Sequence, residues 1–362
     1  MKAGVGGMLA SPDRPPRGLY RCKGDYAMEK RKFGSDKSGA FGMLGEVSTL
    51  TLGGGGIGQV WGPTSREEAV ATVREAVASG ITFIDLAPSY GNGEAEAVIG
   101  EAFNGRLPEG VRVSTKCRLG NLAAAEVPQR LERSLNESLA RLRLQRVDLF
   151  FLHNQIVPDG AIDRYEGTPR RLLVEAVIPA LDQLVAQGRI GAWGITGIGV
   201  PASVIDTVND DPPPAALQAI ANLLDSPGST KRFDGPARPR EIIAAAHRRG
   251  IGVMGIRAVQ AGALTGALDR PLPEDHPDMA DYRQAAPFRA LARELGESPA
   301  SLAHRYALSM VGISTVVLGV KNRAELRECV DAEARGPLER ELLARIDAAV
   351  ARPGARHGDE GR

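Results

Sequence analysis

Ser65-Arg-Glu-Glu-Ala-Val-Ala-Thr-Val-Arg-Glu-Ala-Val-Ala-Ser-Gly80-Ile-Thr-Phe-Ile-Asp-Leu86 is the stretch whose reading decides the fold. It opens with a hydroxyl suited to cap a helix, followed by acids that complement the positive end of the helix dipole. Apolar residues recur at Ala69, Val73, Ala76 and Val77, one face of a helix. Gly80 follows, where a left-handed cap is needed, and Thr82–Leu86 is a short apolar run of β type. A helix that stops on glycine and passes at once into such a run is part of a repeating β/α pattern.

The pattern continues in both directions. Runs of β type occupy Ser48–Leu52, Thr82–Leu86, Val111–Thr115, Val147–Leu152, Ala192–Thr196, Ala216–Ala221, Gly252–Ile256 and Thr315–Leu318. Most are continuously apolar, as strands buried on both faces of a parallel sheet must be. Helical spacing fills 94–103, 127–143, 169–187, 201–208, 239–249 and 323–333, with Gly188 and Gly250 after two of these. Eight strands with helices between them and no break in composition predict an α/β fold, a (β/α)8 TIM barrel forming one domain over residues 28–350. Residues 1–27 read as a disordered extension and 351–362 as a tail. The proline-rich stretch 267–298 reads as an inserted loop with an extra helix, and 337–350 as a further helix outside the barrel.

With 362 residues, 43% of them hydrophobic, the chain can bury one large core. A net charge of +1 argues against nucleic acid or a membrane surface as partner and leaves a small molecule. Three cysteines, Cys22, Cys117 and Cys329, suit a reducing, cytoplasmic compartment better than a disulfide framework or a metal site. No apolar run approaches the roughly 18 residues of a membrane span, and residues 1–27 lack the apolar centre of a secretory signal.

A barrel of this kind carries its site at the C-terminal ends of its strands. The second strand ends in Phe83-Ile-Asp-Leu-Ala-Pro-Ser-Tyr-Gly91, the third in Val113-Ser-Thr-Lys-Cys117 and the fourth in Leu149-Phe-Phe-Leu-His-Asn154. Taken singly, Asp85 suits a helix cap, Lys116 a snorkelling side chain, His153 a core histidine and Cys117 an apolar filler. Taken together, Asp85, Tyr90, Lys116 and His153 at consecutive strand ends read as one site.

Their order, with the phrase Asp85-x-Ala-x-x-Tyr-Gly91, resembles the catalytic tetrad of the aldo-keto reductase superfamily. The likeness runs from about residue 28 to 333 and includes Gly188-Arg-Ile-Gly-Ala-Trp-Gly194, Gln218 with Asn222, Gly262-x-Leu-Thr-Gly266 and Val317-Leu-Gly-Val-Lys-Asn322. It implies interconversion of a carbonyl and an alcohol with a nicotinamide cofactor. Tyr90 is then the general acid/base, Lys116 lowers its pKa, Asp85 holds Lys116, and His153 orients the substrate oxygen. The resemblance also implies cofactor contacts at Gly54, Thr196, Gln218, Ile256, Arg257, Val259, Gly262, Gly319, Lys321, Asn322, Glu325 and Glu328. Gly197 stands where the family usually has asparagine, and Ile256 where it often has an aromatic ring. Lys321 and Arg323 are placed to grip a 2′-phosphate, so NADP(H) is expected over NAD(H).

Trp61, Phe151, Trp193, Asn154 and the loop Gln155–Gly167 are the candidate substrate residues. Gly53-Gly-Gly-Gly-Ile-Gly58 matches a dinucleotide fingerprint, but Gln59-Val-Trp-Gly-Pro63 follows where a helix must begin. The glycines read instead as a strand-end loop that lets other groups approach the backbone. A regulatory, cofactor-loaded subunit of the same fold and a Schiff-base enzyme built on Lys116 are the competing functions.

Overall fold

The computed structural model describes residues 27–35, 44–268 and 270–350. Apart from Ala27, the expected extension lies outside these residues, as do the tail and Cys22. Eight parallel strands close a barrel: β1 (Leu50–Gly53), β2 (Phe83–Asp85), β3 (Arg112–Cys117), β4 (Val147–Leu152), β5 (Ile190–Thr196), β6 (Ala216–Ile220), β7 (Gly252–Ile256) and β8 (Thr315–Leu318). Closure sets Val316 of β8 opposite Leu50 of β1 and Leu318 opposite Leu52. Each expected run supplies a barrel strand, with ends shifted by a residue or two. The first run is divided: Glu46–Ser48 pairs antiparallel with Lys30–Lys32, and only Leu50–Gly53 enters the barrel.

Around the barrel lie α1 (Arg66–Ala78), α2 (Glu94–Phe103), α3 (Val127–Leu142), α4 (Ile178–Ala186), α5 (Pro201–Asn209), α6 (Pro239–Arg248), α7 (Pro277–Gln284), α8 (Ala286–Glu294), α9 (Pro299–Ser309), α10 (Arg323–Ala334) and α11 (Arg340–Ala349). Ser65 Oγ caps α1 by accepting from the Glu68 amide at 3.1 Å. The helix expected over 169–187 is broken, because a wider π turn at Leu173–Val177 precedes α4, whose second residue is Pro179. The sequence pattern did not reveal α9. It is buried on most sides, from Ser301 to Leu308, and so lacks an amphipathic stripe. Among the described residues no helix is long and apolar enough to cross a membrane.

Alternation along the strands layers the barrel interior. Phe83, Leu149, Phe151 and Met254 meet Phe33, Leu44 and Val47 of the N-terminal segment and fill the floor. The Phe33 ring stands edge-on to Phe83 with centroids 5.8 Å apart. Two residues further along the same strands, about 7 Å higher, come Asp85, His153 and Ile256.

This layering corrects two expected substrate residues. Phe151 faces the same way as His153 but one layer lower, fully buried in the floor. A Cβ on Gly194 would lie 2.5 Å from its ring, so that glycine makes room for it. Trp193 has the opposite parity and faces the helices, where its Nε1 donates to Asp182 Oδ1 at 2.8 Å. Phe151→Leu is therefore expected to lower unfolding free energy by about 1–2 kcal/mol and to leave substrate KM unchanged. Urea unfolding and steady-state kinetics check the two halves.

Candidate active site

The ends of β1 and β8 meet so closely that side chains cannot stand between them. A Cβ on Gly53 would lie 2.2 Å from the Leu318 carbonyl oxygen, and one on Gly56 1.9 Å from that of Val320. Gly54–Ile57 makes a single helical turn here, and no longer helix follows directly. Beside it opens a cavity of about 720 Å³ at the C-terminal ends of the strands, a size that suits a cofactor with a small substrate.

At its base Lys116, fully buried, donates from Nζ to Asp85 Oδ2 at 2.7 Å and to the Leu86 carbonyl at 2.6 Å. Asp85 Oδ1 accepts from Ser114 Oγ and from Gln218 Nε2, each at 2.7 Å. The carboxylate needs donors, which fixes the orientation of the Gln218 amide. Ser114 was missed in the sequence, although its place two residues before Lys116 puts both on one face of β3. Lys116 Nζ lies 4.9 Å from the centroid of the Tyr90 ring. The Tyr90 and His153 rings stand edge to face, with centroids 6.0 Å apart. The four groups named from the sequence therefore converge: Asp85, Tyr90 and His153 line the cavity and Lys116 lies behind them.

Burial acts differently on each group. It pulls the Lys116 ammonium down, but Asp85 and Tyr90 outweigh it and hold the group above the ordinary lysine range. Burial pushes the Tyr90 phenol up; Lys116 opposes this and Asp85 reinforces it, leaving the phenol above its usual value. The expected depression of Tyr90 is thus reversed, because burial outweighs the field of the ammonium, which the Asp85 carboxylate also partly offsets. Burial, then Lys116 and Arg118, hold the His153 imidazole well below its ordinary value. Cys117, also buried, has its thiol pushed up by burial, which fits a packing role.

Thr196 lines the cavity, and its buried Oγ1 lacks a hydrogen-bond partner among the described residues. Such an unpartnered hydroxyl fits the amide of a nicotinamide. Gly197 cannot be an asparagine in this setting: a Cβ there would sit 2.8 Å from Leu217 Cδ1 and 2.9 Å from the Gln218 carbonyl oxygen. Gly54, Gln218, Ile256, Val259 and Gly262 also line the cavity, as do Gly319, Lys321, Glu325 and Glu328 on the β8 side. Arg257 lines it too, but its guanidinium is committed to Asp278 at 3.2 Å and to Gln260 Oε1 at 2.9 Å.

Other expected contacts do not reach the cavity. Asn322 is the cap of α10, its Oδ1 accepting from the Glu325 amide at 2.9 Å. Arg323 turns away to Glu68 at 2.9 Å. Asn154 Oδ1 accepts from the amides of Leu119 at 2.6 Å and Gly120 at 3.2 Å, so it anchors the loop after β3. The loop 155–167 runs outside the cavity, with Ile156–Val157 paired to Thr168–Pro169 and Arg164 ion-paired to Asp234. Trp61 does line the cavity, and Arg270 stacks on its ring at 5.6 Å while also reaching Asp278 at 3.2 Å. Arg270, His304 and Cys329 line the cavity from elements after β7 and β8. Nothing in their local sequence marks them.

Known proteins resemble this chain in sequence and in fold. The chain is 29% identical over 317 residues to an L-galactose dehydrogenase of Arabidopsis thaliana, an alignment covering 85% of this chain and 92% of that protein. In three dimensions it resembles an aldo-keto reductase from Bacillus halodurans, with TM-score 0.64 and 22% identity over 90% of this chain and 97% of the other. A glycerol dehydrogenase from Gluconobacter oxydans gives TM-score 0.62 and 23% identity over 84% and 91%. The sequence model of the aldo/keto reductase family matches residues 49–351, and the chain belongs to that family of oxidoreductases.

Proposed function

We propose that the protein interconverts a carbonyl compound (an aldehyde, ketone or sugar) and its alcohol with a nicotinamide cofactor. Aldo-keto reductases use NAD(P)H. The observation that carries the reading is the buried Lys116–Asp85 pair beneath Tyr90 and His153, at the base of a cavity lined by the unpartnered Thr196 hydroxyl.

When bound, the reduced nicotinamide supplies the hydride. Tyr90 donates its phenolic proton to the oxygen that becomes an alkoxide, and its raised pKa keeps that proton in place at neutral pH. Lys116 stabilises the phenolate left behind, and Asp85 holds Lys116 through a network that Ser114 and Gln218 complete. His153, neutral, donates a hydrogen bond to the substrate oxygen and orients it. A Schiff base at Lys116 fits poorly, because its nitrogen is protonated and committed to Asp85 and Leu86.

For the cofactor, Thr196 and Gln218 would hold the carboxamide, and Lys321, Glu325 and Glu328 the ribose end. The expected NADP(H) preference rested on Lys321 and Arg323. Arg323 is bound to Glu68, and Lys321 Nζ is paired with Glu325 Oε1 at 3.1 Å. A 2′-phosphate would meet one cation already balanced and a second carboxylate, Glu328, on the cavity wall, whereas a 2′-hydroxyl can donate to a carboxylate. NADH is therefore the expected partner.

Fluorescence titration with NADH and NADPH, followed by a panel of aldehydes and ketones read at the reduced-cofactor absorbance, tests the reading. The expected result is turnover with kcat/KM at least about tenfold higher for NADH. Cofactor binding without turnover of any carbonyl would point to the regulatory role instead.

The state of His153 gives a pH prediction. Its pKa lies well below the ordinary 6.5, so kcat for carbonyl reduction is expected to show no histidine inflection between about pH 6 and 8. For stability the sign follows directly: the unfolded chain takes up this proton first. The contribution is full above about pH 6.5 and is lost as the pH falls from there toward the folded-state value. A pH–rate profile together with melting curves checks both.

A further inference from the structure

We propose that Arg118 is a substrate-anchoring residue, and that the carbonyl compound this site takes carries a carboxylate. The inference rests on the catalytic reading above and names the substrate class for it. Arg118 immediately follows β3 and continues the alternation of Ser114 and Lys116, so its side chain enters the mouth of the barrel, where it lines the cavity. The amide of His153 donates to the Cys117 carbonyl at 2.8 Å, which extends the pairing of β3 with β4 up to this point. Arg118 thus lies between the strand ends that carry Tyr90 and His153, on the opposite flank from Thr196 and Gln218. It is close enough for its charge to act on both rings.

Charge bookkeeping sets it apart. Arg257 and Arg270 are both paired with Asp278, and Lys321 with Glu325. The carboxylates on the wall are also engaged, Asp85 by Lys116, Glu325 by Lys321 and Glu328 by the hydroxyl of Ser298. Arg118 is exposed, and among the described residues its guanidinium has neither an ion-pair nor a hydrogen-bond partner. A guanidinium presents two parallel donors that match the two oxygens of a carboxylate. A phosphoryl dianion would call for a second free cation, and the other cations lining the cavity are taken.

The test compares isosteric probes, 4-carboxybenzaldehyde and 4-carbamoylbenzaldehyde, by kcat/KM with the preferred cofactor. The corresponding benzyl alcohols are compared by calorimetric Kd in the presence of reduced cofactor. The wild-type protein is expected to favour the carboxylate by about tenfold or more in both measurements, with the preference shrinking as salt rises from 50 to 500 mM. In Arg118→Gln the ratio collapses toward one, and Arg118→Lys keeps part of it. Equal affinity for the two probes in the wild-type protein overturns the proposal. So does a preference that survives Arg118→Gln, or a change in that variant confined to cofactor KM. Calorimetry does not depend on turnover, so failure of the redox reading shows as unreduced aldehydes, and failure of the anchor as equal Kd values.

Discussion

Tyr90→Phe is expected to lower kcat for carbonyl reduction by about three orders of magnitude and to leave the dissociation constant of the reduced cofactor nearly unchanged. The substitution removes one oxygen. The ring that stands against His153, with the Lys116 ammonium 4.9 Å from its centroid, remains, so the packing of the site persists. What is lost is the proton donor, and the alkoxide must then draw its proton from water. Because burial holds the phenol above its usual pKa, wild-type reduction should persist to alkaline pH, and alcohol oxidation should keep rising through the same range. Stopped-flow kinetics and cofactor fluorescence separate chemistry from binding. A variant within tenfold of wild-type kcat would remove Tyr90 from the acid role.

Lys116→Met should cost both stability and activity. Asp85 is only 2% exposed and its partner 0%, so deleting the ammonium leaves a buried carboxylate with neutral donors alone. Breaking such a pair costs about 3–5 kcal/mol. Lys116 holds its proton above the ordinary lysine range in the folded state, so the pair stabilises the protein at neutral pH. That stabilisation is lost only as the pH rises through the folded-state value. The double variant Lys116→Met/Asp85→Asn removes both charges and is expected to recover most of the lost stability while kcat stays at least a hundredfold down. Chemical unfolding of the single and double variants, set against their turnover, separates the two roles. Equal stability of Lys116→Met and wild type would contradict the buried-pair argument.

Much of this site was legible because strands have a period of two. Asp85 and Lys116 lie within the last two residues of their strands and His153 directly after its own, and the barrel topology makes those positions neighbours. The same rule, applied without depth, misplaced Phe151, since parity gives the facing direction and not the layer. Trp193 was misjudged for want of the parity itself. In the sequence Asn154 and Asn322 read as ligand contacts, yet both side chains accept hydrogen bonds from nearby backbone amides. The choice between a bound molecule and a nearby amide depends on loop geometry that short polar side chains do not announce.

By itself the sequence determined the alternation of helix and strand, hence a closed barrel, and the identity of four polar groups at neighbouring strand ends. Periodicity and capping are local properties, and local properties are written in order along the chain. Only the tertiary structure decided how the charges in and around the cavity pair: Arg323 turned away to Glu68, Lys321 with Glu325, Arg257 with Asp278, and Arg118 with none among the described residues. It also decided the balance at Tyr90, where burial outweighs the ammonium. Electrostatic energies depend on distance and solvent exclusion, and both are set by residues far apart in the chain.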